Sequence, residues 1–187
     1  MNESPVRKNI RLKNYDYSSI GYYFITICVK DRKEILWSEP EGACIAHPSL
    51  SIIGEVVEKA IRNIPNIYKS INIDKYVIMP NHIHFIMIIG EGCGPDHPTI
   101  GGSDHLTIGV QDHPTIGGRA MRAPTISTIV NQMKGYVSKQ LGYSIWQKLF
   151  YDHVIRSESE YQDIWQYIDN NPVKWDEDCY YNQSLNE

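Results

Sequence analysis

The chain has 187 residues, 42% of them hydrophobic and 21% charged, which suits one domain with a sizeable core. It has no apolar run of the ~18 residues a membrane helix needs. Its net charge of −4 does not favour a nucleic-acid binder as a whole. The charge is uneven, however. Arg7, Lys8, Arg11 and Lys13 form a basic arm, and Arg119, Arg122, Lys134, Lys139, Lys148, Arg156 and Lys174 mark the second half. Local basic surface carries phosphate contacts even in an acidic protein; any one of these charges read alone is equally a solvated side chain. Met1 to Lys8 lacks the apolar core of a secretory signal. Cys28, Cys44, Cys93 and Cys179 are scattered with no C-x-x-C spacing, so free thiols and a cytoplasmic location are expected.

Taken in order, Tyr22 to Val29 is rich in β-branched and aromatic residues and predicts a first strand. Asp31-Arg32-Lys33 is a polar turn, and Ile35-Leu36-Trp37 starts a short return. Ile52, Ile53, Val56, Val57, Ala60 and Ile61 recur at helical spacing, which predicts a helix over 51–63 with its apolar face on the sheet. Asn72 to Met79 and His82 to Ile89 read as two strands joined by a Pro80-Asn81 turn, a hairpin at the centre of the sheet. From 96 to 119 an eight-residue unit is used three times, with His97, His105 and His113 at matching places. Repeated histidines suggest metal binding, but so short a unit, broken by Gly and Pro, reads better as a flexible insertion without a catalytic role. Thr125 caps a helix whose stripe is Ile126, Ile129, Val130, Met133, Val137 and Leu141, and Gly142 ends it. Lys134 and Lys139 fall off that stripe. Lys148 to Ile155 predicts a strand, in which Asp152 and His153 take structural or DNA-contacting roles. Ser157-x-x-Glu160 is a capping-box pattern opening the last helix, and Pro172 stops it. The fold class is therefore α+β: a central antiparallel sheet of four or five strands with packed helices.

Two polar rings interrupt the most apolar stretch, Tyr76-Val77-Ile78-Met79-Pro80-Asn81-His82-Ile83-His84-Phe85-Ile86-Met87-Ile88-Ile89. In a strand, residues i and i+2 share a face, so His82 and His84 are neighbours about 7 Å apart along the chain. Imidazoles that close can share one metal ion. A strand apolar on both faces is a covered one, where a polar ring is costly unless hydrogen-bonded or bound to something. A lone histidine in such a place is more often a satisfied core residue; for a same-face pair the two readings weigh about equally. The last helix supplies the second polar element. Tyr161, Ile164, Trp165 and Ile168 make its buried stripe. Tyr167 falls about 110° from the centre of that stripe, at the border of core and solvent. Asn171 is four residues on and shares its side. With thirteen tyrosines in the chain, that position alone does not select Tyr167.

Met79-Pro80-Asn81-His82-Ile83-His84 resembles the His-hydrophobe-His (HUH) motif of single-tyrosine transposases. With it stand Tyr22-Tyr23-Phe24-Ile25-Thr26-Ile27-Cys28, Phe150-Tyr151-Asp152-His153-Val154-Ile155-Arg156 and Tyr167-Ile168-Asp169-Asn170-Asn171-Pro172-Val173-Lys174. Together, in this order, these segments are similar to the REP-associated tyrosine transposases and their insertion-sequence relatives over most of the chain. The resemblance implies a ferredoxin-like (RRM-like) core within one HUH domain over 1–187, interrupted by the repeats at 96–119. It implies Tyr167 as nucleophile, His82 and His84 as metal ligands, and Asn171 as a third polar ligand. It implies single-stranded or hairpin DNA as substrate. DNA contacts are expected from Arg7, Lys8, Arg11, Lys134, Arg156 and Lys174. No membrane and no nucleotide cofactor are expected; both monomers and homodimers occur among such proteins.

The implied chemistry is coherent. A divalent ion on a phosphodiester oxygen neutralises charge and orients the phosphorus for attack. Mn²⁺ suits two imidazoles on softness and Mg²⁺ is the more abundant, with Zn²⁺ a second choice. Attack by Tyr167 leaves a 5′-phosphotyrosine and a free 3′-hydroxyl, so rejoining needs no ATP. Two other classes remain: a domesticated DNA-binding protein of the same fold acting on palindromic repeats, and a metal-dependent phosphodiesterase that uses water. The acidic balance and the repeats are departures from the family pattern.

Overall fold

A computed structural model describes residues 16–38, 49–90, 124–177 and 180. Arg7, Lys8, Arg11 and the repeats at 96–119 lie outside the described residues.

Among the described residues four strands form one antiparallel sheet: β1 (Gly21–Cys28), β2 (Ile71–Ile78), β3 (His82–Ile89) and β4 (Tyr151–Ile155), in the order β2-β3-β1-β4. The helices are α1 (Ile52–Arg62), the single turn α2 (Ile64–Ile67), α3 (Ile126–Leu141) and α4 (Glu158–Asn170). Through β4 this is a β-α-β-β-α-β order, the ferredoxin-like arrangement, with α4 added after it. The period of two in β1 and β3 divides the sheet. Tyr23, Ile25 and Ile27 join Ile83, Phe85, Met87 and Ile89 on one face, under Val57 and Ile61 of α1 and Ile129, Val130 and Val137 of α3. Tyr22, Ile86 and Ile88 lie on the other face with Tyr161 and Ile168 of α4. β3 is buried at every position because it is flanked on both edges and covered on both faces.

The local signals placed the helix ends. Ser51, Thr125 and Ser157 each accept a backbone N–H two or three residues into their helices, from Gly54, Thr128 and Glu160. Gly142 closes α3 at φ 78°, a left-handed conformation that disfavours side-chain-bearing residues. The capping box is shifted by one residue: Glu160 accepts from the backbone N–H of Arg156, not of Ser157.

Several expectations are corrected. The hairpin does not sit at the sheet's centre. β3 does, beside β1, while β2 is an edge strand. The short return at 35–37 makes one antiparallel bridge among the described residues, Trp37 with Leu50, outside the sheet; Leu36 N–H and Trp37 Nε1 donate to the carbonyls of Pro80 and Ile78, strapping the segment across the hairpin's end. That strap crosses α1 at Gly54, where a Cβ would meet the Leu36 carbonyl oxygen at 2.2 Å. Ile52 is not part of the buried face of α1 but is 80% exposed in its first turn. Pro172 does end the α-helix, α4 stopping at Asn170, but a 3₁₀ segment, Asn171–Glu177, carries on. Lys134 does not point outward. It is buried, and its ammonium donates to the carbonyls of Gln147 and Leu149 at 3.0 and 3.3 Å. The long stem reaches over the rim of the apolar stripe to the chain entering β4, which spacing on one helix does not reveal. No described helix is long and apolar enough to cross a membrane.

Candidate active site

The His pair lies at the start of β3, on the α4 face. Register sets its neighbours: Thr26 of β1 stands opposite His84, and Cys28 opposite His82. Both rings are almost fully buried. Their Nε2 atoms are 2.9 Å apart. Asn81 donates through Nδ2 to the Tyr180 carbonyl, which turns its Oδ1 toward His82 Nδ1 at 2.9 Å. His82 Nδ1 is therefore the protonated nitrogen, and its Nε2 offers a lone pair. Burial, aided by the positive charge of Arg32, pushes the His82 pKa down to about 3, so the ring is neutral at pH 7. His84 Nδ1 is 2.8 Å from the Thr26 hydroxyl. With its proton on Nδ1, both Nε2 lone pairs face one point, which a cation could occupy. With its proton on Nε2, the two rings hydrogen-bond each other.

α4 brings Tyr167 to the same place. Its hydroxyl is 3.2 Å from His84 Nε2, and the residue is 42% exposed. Phe24 stacks on His84 at 5.2 Å and meets Tyr167 edge-on at 6.2 Å, fixing both. Beyond α4, Trp175 lies 5.9 Å from the His82 ring and Tyr180 4.5 Å. In the sequence Asn171 falls between Tyr167 and Trp175, whose rings lie against His84 and His82. It is buried, and its Oδ1 has no hydrogen-bond partner among the described residues. Two buried imidazoles, with His82 neutral at pH 7, and one orphaned amide oxygen are donor types that a divalent cation takes. No three His, Cys, Asp or Glu side chains gather into a metal site among the described residues.

The chain is 36% identical over 186 residues to an uncharacterized protein of Haemophilus influenzae (strain ATCC 51907 / DSM 11121 / KW20 / Rd), covering 94% of this chain and 93% of that one. The two belong to one family. No family model matches the chain. Among solved structures, that of a REP-associated tyrosine transposase bound to a REP hairpin superposes with a TM-score of 0.55 at 20% identity, covering 94% of this chain and 74% of that one. The likeness is one of fold.

Of the residues singled out in the sequence, His82, His84 and Tyr167 meet directly, and Asn171 is buried where the 3₁₀ segment follows α4. Arg156 and Lys174 are exposed at the two ends of the α4 segment. His153 is taken up by a 2.7 Å pair with Glu160, a structural role. Thr26, Phe24, Asn81, Trp175 and Tyr180 were not anticipated in this site. Phe24 and Thr26 share a face of β1, a period-two signal that becomes specific only once the register against β3 is known.

Proposed function

We propose that this protein is a metal-dependent, HUH-type single-strand DNA transposase that cuts and rejoins DNA through Tyr167. The observation that carries the reading is the meeting of Tyr167, from α4, with the His82–His84 pair of β3. Position on a helix and position in a strand, 83 residues apart, converge to 3.2 Å. The fold shared with the hairpin-bound transposase supports a hairpin or single-stranded DNA as substrate.

His82, His84 and Asn171 would hold a Mg²⁺ or Mn²⁺ ion. Bound there, the ion would draw charge from a phosphodiester oxygen. Because the protein donors are neutral, phosphate oxygens must complete the set, which couples metal affinity to DNA. Burial keeps His82 unprotonated, and Asn81 and Thr26 hold the outer nitrogens of the pair. Phe24 holds the Tyr167 ring edge-on. A phenol with a pKa near 10 is only about one-thousandth ionised at neutral pH, so it must be held at the site before it reacts. In the reaction the phenol loses its proton and Oη bonds to phosphorus. The bond to the 3′ oxygen breaks, and that oxygen takes up a proton as a free 3′-hydroxyl. The exposed rim at Tyr167 admits the strand.

The test is a trapping assay with 3′-end-labelled hairpin and single-stranded DNAs and Mn²⁺. The expected result is a labelled protein band that survives denaturing electrophoresis and vanishes with chelator, in Tyr167→Phe and in His82→Ala. Binding without cleavage would replace this reading with a DNA-binding protein of the same fold. Cleavage without a band would make water the nucleophile.

A further inference from the structure

β2 carries a bulge. Ile73 pairs with Met87, but Lys75 pairs with Ile86, so Asp74 and Lys75 together oppose one step of β3. Before the bulge, Ile71 and Ile73 face α1 and α3; after it, Tyr76 and Ile78 do. The irregularity therefore turns two successive side chains, Asp74 and Lys75, to the α4 face, where a regular strand would present only one. Both are used. The Tyr161 hydroxyl donates to Asp74 Oδ2 at 2.6 Å. Lys75 Nζ pairs with Asp169 at 2.6 Å and lies 3.7 Å over the Trp165 ring. Tyr161, Trp165 and Asp169 are spaced i, i+4, i+8, one stripe running the length of α4. The edge strand thus grips the helix at both ends and in the middle. Burial and the neighbouring Asp74 carboxylate raise the Tyr161 pKa, so its phenol stays protonated and keeps donating.

We propose that Asp74 and Lys75 are positioning residues for Tyr167: the bulged pair sets the rotation and height of α4 so that the Tyr167 hydroxyl rests at His84. The proposal builds on the catalytic reading above and deepens it. Apolar contacts of Tyr161 and Ile168 press α4 onto the sheet, but apolar packing tolerates rotation and sliding. Directional contacts from two adjacent residues do not. Tyr167 lies off the gripped stripe, so a small rotation moves it away from His84.

Two readouts test this, on the Asp74→Ala/Lys75→Ala protein and on the milder single variants Asp74→Asn and Lys75→Met. The first needs no DNA. The side-chain ¹⁵N shift of His84 Nε2 reports the Tyr167 hydroxyl, because Tyr167→Phe removes that contact; the double variant is expected to move the shift in the same direction. The second is the single-turnover rate of the covalent adduct at saturating DNA, expected to fall about 10- to 100-fold with DNA affinity unchanged. Lys75→Arg, which keeps the pair with Asp169, is expected to retain the wild-type rate. A His84 shift like the wild type in a folded double variant overturns the proposal, whatever the DNA chemistry. A displaced shift with an unchanged adduct rate also overturns it as a statement about catalysis. If the wild type forms no adduct while the double variant displaces the shift, the catalytic reading fails and the positioning of Tyr167 stands.

Discussion

The two faces of the sheet are built on different terms. The face under α1 and α3 is apolar, with Ile25, Ile27, Ile83, Phe85 and Met87 all fully buried. The face under α4 has a smaller apolar cluster and ends in buried Thr26, Asn81, His82, His84 and Asn171. Each fully buried aliphatic or aromatic side chain contributes about 1.5–3 kcal/mol; each buried polar group must recover its lost hydration through a partner. The first face therefore supplies stability. The second gives up some of it for a set of lone pairs and a hydroxyl held together, and it holds its helix by the bulge as well as by packing.

Substitutions divide along the same line. On the α4 face, Tyr167→Phe and His82→Ala should each abolish covalent adduct formation in the trapping assay, a loss of about a thousandfold or more for a missing nucleophile or metal ligand. Tyr167→Phe should leave the thermal midpoint nearly unchanged, since it removes one long hydrogen bond from a residue that is itself partly exposed. On the α1/α3 face, Phe85→Ala should cost about 3–5 kcal/mol in urea unfolding, through lost burial and a cavity under the helices. Gly54→Ala should cost about 1–3 kcal/mol by overpacking, because its methyl group has the backbone of the 35–37 strap in its way and not a movable side chain. Gly135 lies in the middle of α3 with nothing within 4 Å of an added Cβ. Gly135→Ala should therefore stabilise by about 0.5–1 kcal/mol without altering DNA chemistry.

The smallest effect belongs to Glu160, whose pKa is lowered by the backbone N–H of Arg156 and then by His153. A carboxyl with a depressed folded pKa adds stability above its unfolded value, and that stability is lost as pH falls through the folded value. Glu160→Gln should cost no more than about 0.5 kcal/mol at neutral pH, as befits a partly exposed pair. The difference from wild type should close below about pH 4 in thermal melts.

Much of this was legible in the chain. The caps Thr125 and Ser157, the αL Gly142 and the apolar stripes of α1, α3 and α4 are local signals read within one turn of helix. The His82–His84 face follows from strand period alone. Lys134 and Ile52 were misread for one reason: a helical wheel assigns faces from one helix, whereas burial depends on what passes over it. Lys134 is covered by the chain entering β4, while the 35–37 strap crosses the first turn of α1 at Gly54 and leaves Ile52 exposed.

By itself the sequence determined the four strands, the three long helices with their caps, and the pairing of two histidines on one side of a strand, because spacing, capping and period act over a few residues. Tertiary structure decided the rest. It placed β1 beside β3, so that Thr26 and Phe24 reach His84. It bulged β2 at Asp74, so that two neighbours grip α4, and it brought Tyr167, Trp175 and Tyr180 to the His pair. These contacts join residues far apart in the chain. They are set by sheet register and by the seating of a helix on a surface, which depend on the whole core packing at once and on no local pattern.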